Sequence, residues 1–391
     1  MIKIVADNAI PFVEKFFSCI GALELVEGRK ITAEVVKDAD VLVVRTITKV
    51  NSELLDGSAV AVVVSPSSGC DHFDLEYLQQ RSIECISTPG SNAISVAEYV
   101  LSALCVLADQ SSFDLSQKKV GIVGCGKVGS QLRRMLETIG LECLVCDPFL
   151  KQASRGGEYC DLSEIKEADV VSLHVPLTRD GDYPTFGMID EECFEGLSED
   201  VILINTSRGP VVDEVALKAF LNQHTQAQVV LDVWTNEPNI DAELIRSVDI
   251  ATPHIAGHSM DAKLRATRSV FEQVCGVLNI DSYFDGLNNV FPLDEQKEIR
   301  LSLEQSEIDL LSLAILSSYD VRSDAAALRR MLEDNVGERA SYFDELRNNY
   351  PIRREFSSLR IGLTADAQSK RQKLLSLGFR IIEADEKVLS S

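Results

Sequence analysis

The run Val120-Gly121-Ile122-Val123-Gly124-Cys125-Gly126-Lys127-Val128-Gly129 decides the fold of the chain. Val120–Val123 is a short apolar run typical of a buried parallel strand. Gly124, Gly126 and Gly129 follow at the spacing of a dinucleotide-binding turn: the first suits a tight turn, the second lets the backbone approach a pyrophosphate, and the third lets a helix lie against the strand. Apolar residues then recur at helical spacing, which predicts a helix whose N-terminal N–H groups face the phosphates.

A second apolar run, Cys143–Cys146, ends at Asp147. A carboxylate at the tip of that strand can bind both hydroxyls of an adenosine ribose and repels a 2′-phosphate. This order of elements, a strand, a glycine turn, a helix and a second strand that ends in an acid, predicts NAD binding. The alternative is an ordinary βαβ unit with an exposed Asp. The predicted contacts are Gly124, Gly126, Lys127, Val128, Gly129 and Asp147.

The composition is that of a globular protein with two or three domains. The chain has 391 residues, 45% hydrophobic and 25% charged, and a formal net charge of −23. That charge argues against nucleic acid or an anionic membrane as partner, and an anionic substrate needs local Arg and Lys groups. We find no signal-peptide pattern, no run of membrane-spanning length and no metal-binding spacing among the ten Cys. We expect a cytoplasmic protein with reduced thiols and no bound metal.

Apolar runs alternate with helix-like stretches through the first 280 residues, which predicts parallel α/β sheets. The nucleotide domain is predicted to be inserted into the first domain, because a helix-like segment at Met260–Leu278 leads back to it. After about residue 286 the pattern changes to a small α+β domain. The predicted domains are 1–95 and 256–285 (substrate domain), 96–255 (NAD-binding domain) and 286–391 (C-terminal domain). The strands expected in the last are Ile299–Leu303, Leu359–Leu363 and Phe379–Glu383, with helices near Ser306–Ser317 and Ala367–Leu377.

Arg208, Glu237 and His254 each come just past a strand of the nucleotide domain. Since the carboxyl ends of the strands meet at the cofactor crevice, the three side chains can converge there. A His can take the hydroxyl proton of a 2-hydroxy acid, a carboxylate can orient and stabilise it, and an Arg can grip the substrate carboxylate. Each residue alone also has a purely structural interpretation; the combination favours dehydrogenase chemistry.

The same segments resemble the D-isomer-specific 2-hydroxyacid dehydrogenases over about residues 1–285. The motifs are Gly124–Gly129, Asp147, Asn205–Asp213 (NTSRGPVVD), Leu231–Pro238 (LDVWTNEP) and Pro253–Gly257 (PHIAG). The resemblance implies a Rossmann-type NAD domain inserted in a flavodoxin-like substrate domain, with Arg208 binding substrate, Glu237 paired to the His, and His254 as acid/base. It also implies that Asp232 lies near the nicotinamide carboxamide. Further cofactor contacts are expected at Thr206, Ser207 and Gly257.

One subgroup of this family has an additional C-terminal dimerisation domain, and this chain resembles it in several segments: Val44–Asn51, Gly90–Ala93, Tyr319–Arg322 and Phe343–Tyr350. That likeness implies a homodimer and a small phosphorylated hydroxy-acid substrate, its phosphate held by the Arg45–Lys49 loop. The substrate contacts are expected at Thr46, Ser67 and His258. Position 258 carries His where the likeness leads us to expect Tyr, so a donor is present with a different reach and charge.

Two other functions stay open at this point. One is a dehydrogenase of a different 2-hydroxy acid, such as D-3-phosphoglycerate. The other is a non-catalytic, NAD-sensing scaffold that acts like a corepressor, against which the intact set of Arg208, Glu237 and His254 argues.

Overall fold

The computed structural model describes residues 1–154, 158–281, 297–302, 306–333, 336–363 and 368–382. They divide into two compact units, one of residues 1–92 and 259–281, the other of residues 93–258 and the described residues after 296. The predicted domain boundary at 285/286 lies outside the described residues, as do the predicted element ends at Leu303, Ala367 and Glu383.

The elements are numbered in chain order. Strands β1 to β14 are Lys3–Asp7, Ala22–Val26, Val41–Val43, Val62–Val64, Glu84–Ile86, Lys119–Val123, Glu142–Cys146, Val170–Leu173, Ile202–Asn205, Gln228–Leu231, Ile250–Ala251, Glu298–Leu301, Arg360–Leu363 and Arg380–Ile382. Helices α1 to α15 are Val13–Phe17, Ala33–Val36, Ser52–Leu55, Leu75–Gln80, Ala93–Ser111, Lys127–Ile139, Pro148–Ala153, Glu191–Glu195, Glu214–Gln223, Ala242–Ser247, Met260–Val277, Glu307–Ser318, Arg322–Arg329, Arg339–Asn348 and Gln368–Leu377.

The first unit is a five-stranded parallel sheet in the order β2-β1-β3-β4-β5, which is flavodoxin-like. Strand β2 was not predicted, because at this edge of the sheet its side chains are mostly exposed and no continuous apolar run marks it. Helix α11 packs an apolar stripe against α1, where Phe271 contacts Phe16 and Phe17 at ring-centroid distances of 5.4 and 5.6 Å.

The second unit contains a six-stranded parallel sheet in the order β11-β10-β9-β8-β6-β7. Strand β6 pairs with β7 on one side and β8 on the other, so the direction of winding reverses there. In open α/β sheets ligands bind at the carboxyl ends of the strands at such a reversal. The loops after β6 to β11 therefore build the site, and the predicted Rossmann-type and flavodoxin-like fold class is confirmed.

Helix α5 corrects the expectation that no apolar run has membrane-spanning length. By length and composition it could cross a membrane, yet most of it is buried inside the protein. Helices α6 and α12 pack against it, and its small and apolar residues face the core on several sides. A helix that is apolar all round can be a core helix, which is how α5 is used here.

The C-terminal residues form a three-stranded parallel sheet in the order β12-β13-β14. They share hydrophobic cores with the nucleotide sheet: Leu310 and Ile315 of α12 pack in the core around α5 and α6, and Leu328 and Phe343 join the core on the opposite face of the sheet. Helices α13 and α14 were not predicted, because half or fewer of their residues are apolar and only Ala325, Leu328 and Phe343 are buried.

Candidate active site

The glycine turn, residues 124–129, needs glycine for two different reasons. Gly124 has φ +88°, and a Cβ there would lie 2.8 Å from the His174 carbonyl oxygen. At Gly129 a Cβ would lie 2.0 Å from the Gly124 oxygen. At Gly126, the N-cap of α6, an added Cβ meets no atom of the described residues within 4 Å. Packing within the protein therefore requires glycine at positions 124 and 129. Gly126 leaves open space at the N-terminus of a helix, and that space suits a pyrophosphate.

Asp147 follows β7 and lies beside the glycine turn. Its carboxylate accepts hydrogen bonds from the N–H of Cys125 at 2.9 Å and of Leu150 at 3.1 Å, and the second bond caps α7. The acid is thus held at the strand tip where an adenosine ribose would be bound. Lys127 is exposed, and Val128 packs against the core.

Thr206 and Ser207 differ in what they contact. The Thr206 hydroxyl lies 3.2 Å from Nδ1 of His174, whose Nε2 lies 2.8 Å from the Ser172 hydroxyl. Burial lowers the pKa of His174 to about 3, so the ring is neutral at ordinary pH. Ser207 is buried, and its hydroxyl donates to the Asn205 side-chain oxygen at 2.7 Å.

Arg208 lies on a turn that Asn205 braces. The Asn205 amide donates to the Arg208 carbonyl at 3.0 Å, and one guanidinium Nη donates to the Ser207 carbonyl at 2.8 Å. Gly209 follows, and a Cβ there would lie 2.0 Å from the Trp234 carbonyl carbon. Only glycine lets the loops after β9 and β10 pack backbone to backbone, and this contact brings the Arg208 turn against the loop that leads to Glu237.

Glu237 and His254 form the central contact of the site. Glu237 Oε2 lies 2.8 Å from His254 Nδ1, and its Oε1 accepts the Trp234 N–H at 3.0 Å. Burial by itself would raise the pKa of Glu237, but the His254 charge and hydrogen bond, the Arg347 charge and the Trp234 N–H together hold that pKa below its usual value. With Nδ1–H donating to the carboxylate, Nε2 of His254 is left to accept a proton.

The His254 loop, residues 252–258, is held by hydrogen bonds to Asp232. Asp232 is 1% exposed. Its carboxylate accepts from the Thr252 hydroxyl at 2.7 Å and from the N–H groups of Ile255 and Ala256 at 2.8 and 2.9 Å. Three bonds to one loop make Asp232 its anchor in the structure, and the cofactor contact expected of it stays a prediction.

His254 has φ +57°, a left-handed backbone conformation that His adopts more readily than most residues. The His258 N–H donates to the Ile255 carbonyl at 2.8 Å and closes the turn that contains Gly257. The His258 ring lies edge-on to Tyr350 at 5.7 Å.

The remaining expected substrate residues, Thr46 and Ser67, lie in the first unit after β3 and β4. Thr46 is exposed, next to Arg45, whose Nε bonds the buried Asp7 at 2.7 Å. The Ser67 hydroxyl donates to the Gly69 carbonyl at 2.9 Å.

Sequence reasoning missed two residues that shape the site, Trp234 and Thr252. The Trp234 indole N–H donates to the Thr252 carbonyl at 2.9 Å, and the Thr252 hydroxyl lies 2.7 Å from the Tyr99 hydroxyl. A signal was present: Thr252 directly precedes the PHIAG motif, and Trp234 is the single Trp of the chain.

Comparisons with known proteins find matches along most of the chain. A family model described as the NAD-binding domain of D-isomer specific 2-hydroxyacid dehydrogenases matches residues 105–256, and one described as a domain of unknown function matches residues 290–378. The chain is 41% identical to an erythronate-4-phosphate dehydrogenase of Marinobacter nauticus and 40% identical to one of Pseudomonas entomophila, covering 97% of this chain and 99% of each relative.

Two solved structures share the fold. The NAD-bound 3-phosphoglycerate dehydrogenase of Entamoeba histolytica is 26% identical, with a TM-score of 0.61, over 71% of this chain and 95% of that one. The D-lactate dehydrogenase of Aquifex aeolicus, complexed with NAD and lactic acid, is 25% identical, with a TM-score of 0.59, over 71% of this chain and 96% of that one.

Fold, nucleotide turn and family match together define the class of this protein: it is an NAD-dependent oxidoreductase of the D-2-hydroxyacid dehydrogenase type. Because the likeness to the curated relatives covers nearly the whole chain, including the C-terminal residues, the class can be narrowed. The chain belongs to the erythronate-4-phosphate dehydrogenase family.

Proposed function

We propose that this protein oxidises 4-phospho-D-erythronate to 2-oxo-3-hydroxy-4-phosphobutanoate with NAD, a step of pyridoxal 5′-phosphate (vitamin B6) biosynthesis. The observation that carries the chemistry is the 2.8 Å contact between Glu237 and Nδ1 of His254 at the carboxyl end of the nucleotide sheet. The relatives' names support the choice of substrate, since these relatives match 97% of this chain.

The residues fit NAD. The open space over Gly126 and the N-terminus of α6 suit its pyrophosphate, and Asp147 beside the turn suits its adenosine ribose. Lys127, Val128, Gly129, Thr206, Ser207, Asp232 and Gly257 complete the set of cofactor residues in this proposal. NAD, when bound, accepts the hydride that leaves C2 of the substrate.

His254 takes the proton in this scheme. As the C2–H bond breaks, the hydroxyl O–H bond breaks as well, its proton passes to Nε2 of His254, and the C2–O bond becomes a carbonyl. Glu237 fixes the tautomer that leaves Nε2 able to accept, and its negative charge stabilises the imidazolium that forms. Arg208 would grip the substrate carboxylate with its forked donors.

The first unit supplies cations for the substrate phosphate. Arg45 is fixed by its bond to Asp7, and Thr46 and Lys49 belong to the same loop. Lys263 lies in the first turns of α11, where burial and then the Arg45 charge lower its pKa. Because two cations that repel each other are stabilised by an anion, this pair supports a phosphorylated substrate.

We further propose that residues 286–391 act as a dimerisation domain, that the substrate domain comprises 1–95 and 256–285 and the NAD domain 96–255, and that the enzyme works in the cytoplasm. The likeness to relatives along the whole chain supports this organisation. Sedimentation of the full chain should give twice the monomer mass; a monomer at all concentrations would count against the dimer.

The function is tested by following NADH absorbance with 4-phosphoerythronate, 3-phosphoglycerate, glycerate and lactate, each with and without a 2-oxo acid that reoxidises retained NADH. We expect turnover with 4-phosphoerythronate to be far above the rest. Preference for 3-phosphoglycerate would keep the mechanism and overturn the substrate. NAD binding without turnover on any acid would favour the scaffold alternative instead.

A further inference from the structure

The His254 loop has a second anchor besides Asp232. Asp232 accepts from its N–H groups, and the carbonyl of Ala256 accepts a hydrogen bond from Nη1 of Arg353 at 3.0 Å. Ala256 is two residues from His254. Asp232 directly follows strand β10 of the nucleotide sheet. Arg353 belongs to the C-terminal part of the chain, which carries none of the proposed reacting groups.

Arg353 is itself fixed on three sides. Its Nη2 donates to the Ser95 carbonyl in α5 at 2.6 Å, and its guanidinium carbon lies 3.6 Å from the centre of the Tyr319 ring. The residue is only 6% exposed. Two carbonyl acceptors and an aromatic ring together fix the orientation of this buried guanidinium. The position of the Ala256 carbonyl therefore depends on the position of the segment that contains Arg353.

The segment around Arg353 is attached to α5 by two more buried contacts. The Ser95 hydroxyl donates to Glu355 at 2.8 Å, and the Phe356 N–H donates to Glu98 at 2.7 Å. Glu98 and Glu355 are 1% and 2% exposed. Since buried carboxylates are costly unless they are bonded, this strip of chain is held on α5.

A second route reaches the same loop at His258. The hydroxyls of Tyr319 and Tyr350 both donate to Oδ2 of Asp324 at 2.7 Å. The Tyr319 ring lies under Arg353, and the Tyr350 ring lies edge-on to His258. The C-terminal segment therefore contacts the His254 loop at Ala256 and at His258, on both sides of Gly257.

We propose that Arg353 is a positioning residue, which holds the His254 loop so that Nε2 of His254 faces the substrate hydroxyl. This inference rests on the proposed function. It gives the C-terminal part of the chain a task in the catalytic step of its own subunit, distinct from any part in assembly.

The test is Arg353→Lys, which keeps the positive charge and loses the fork and the stacked face. We expect kcat to fall by about 10- to 100-fold, because small displacements of a catalytic group have effects of this size. KM for NAD should change by a smaller factor than kcat, since the glycine turn is untouched and only Gly257 of the expected cofactor contacts lies in the displaced loop. With C2-deuterated substrate, the isotope effect on kcat should rise as hydride transfer becomes slower. The matched control is Arg322→Lys, on a half-exposed Arg that pairs with Asp320 in the same part of the chain.

Two measurements distinguish a variant that has lost folded protein from one in which His254 is displaced. A loss of folded protein lowers kcat in proportion and leaves the isotope effect unchanged, and this outcome would overturn the proposal, as would a wild-type kcat in folded Arg353→Lys. In Arg353→Ala, added guanidinium ion should restore part of the lost turnover, whereas the same concentration of sodium should not.

The proposal remains testable if the substrate assignment fails. Trp234 is the single Trp and bonds the Thr252 carbonyl in the His254 loop. Its emission should shift to longer wavelength in Arg353→Lys with no substrate present. Unchanged emission and unchanged quenching by acrylamide would show that the loop does not depend on Arg353, whatever the substrate is.

Discussion

The glycine turn after β6 and the His254 loop after β11 lie at the same edge of the same sheet and are built on opposite principles. In the glycine turn, the binding surface is backbone, and the side chains are absent so that the chain can pack and approach a ligand. In the His254 loop, several backbone groups are hydrogen-bonded to side chains from other parts of the protein. Asp232 takes two N–H groups, Arg353 takes a carbonyl, and Trp234 takes another.

The difference shows what each kind of site requires. A phosphate is large, charged and tolerant of small displacements, and the N-terminus of a helix is enough to bind it. Proton transfer requires that donor and acceptor lie within hydrogen-bond reach, so the His that performs it needs a stiff support. Two segments far apart in sequence provide that support: the loop after β10, which contains Asp232 and Trp234, and the segment that contains Arg353.

The largest effect should come from removing the proton acceptor. His254→Asn preserves a residue type that tolerates φ +57° while losing the imidazole. We expect kcat to fall by about 100- to 10,000-fold, the usual contribution of general base catalysis. NAD affinity, measured by quenching of Trp234 emission, should stay within about threefold of wild type. Turnover close to wild type would remove His254 from the mechanism.

Two Ala variants distinguish a glycine that the packing of the protein requires, Gly129, from a glycine that leaves space for the cofactor, Gly126. Gly126→Ala should fold normally, since no described atom lies within 4 Å of the new methyl group, and should weaken NAD binding by about tenfold or more because the methyl occupies the pyrophosphate space. Gly129→Ala should lower the free energy of unfolding by about 1–3 kcal/mol, because its methyl would overlap the Gly124 carbonyl. Thermal denaturation and NAD titration of both proteins check this. Equal behaviour of the two variants would contradict the distinction.

Choice of cofactor should depend on the charge of Asp147. Asp147→Ser retains a side chain that can cap α7, so the fold should be kept while the repulsion of a 2′-phosphate is lost. We expect the preference for NAD over NADP to fall by about tenfold or more. The ratio of kcat/KM for the two cofactors measures it, and an unchanged ratio would assign the discrimination to another residue.

The last effect concerns the dependence of stability on pH, and it arises at His174, whose Nδ1 lies 3.2 Å from the Thr206 hydroxyl. Its pKa is lowered to about 3 in the folded protein against an ordinary value of 6.5. Between those values the unfolded chain binds a proton that the folded protein does not, so stability is lost as pH falls from 6.5 toward 3. His174→Asn should make this slope shallower by about 1.4 kcal/mol per pH unit. Urea unfolding at pH 4, 5 and 6 tests it; parallel curves for the variant and wild type would contradict the lowered pKa.

Most of the central strands were predictable, because they depend on local apolar patterns. Local motifs also selected Arg208, Glu237 and His254, whose roles stay predictions. Apolar runs mark the central strands β1, β3, β4, β6, β8 and β9, which are buried on both faces. Edge strand β2 has no such run and was missed, as were α13 and α14, which bury few apolar residues.

By itself, the sequence determined the nucleotide sheet, the glycine turn and the residue types that suit hydride chemistry, because these follow from periodicity and from steric requirements of single residues. Only the tertiary structure decided how His254 is held. The sequence did not show that Asp232 and Arg353 are both buried and both bonded to the backbone of the His254 loop. The physical reason is that a hydrogen bond to a backbone carbonyl depends on position and not on the identity of the residue that offers it, so no pattern in the chain records that Arg353 and Ala256 meet.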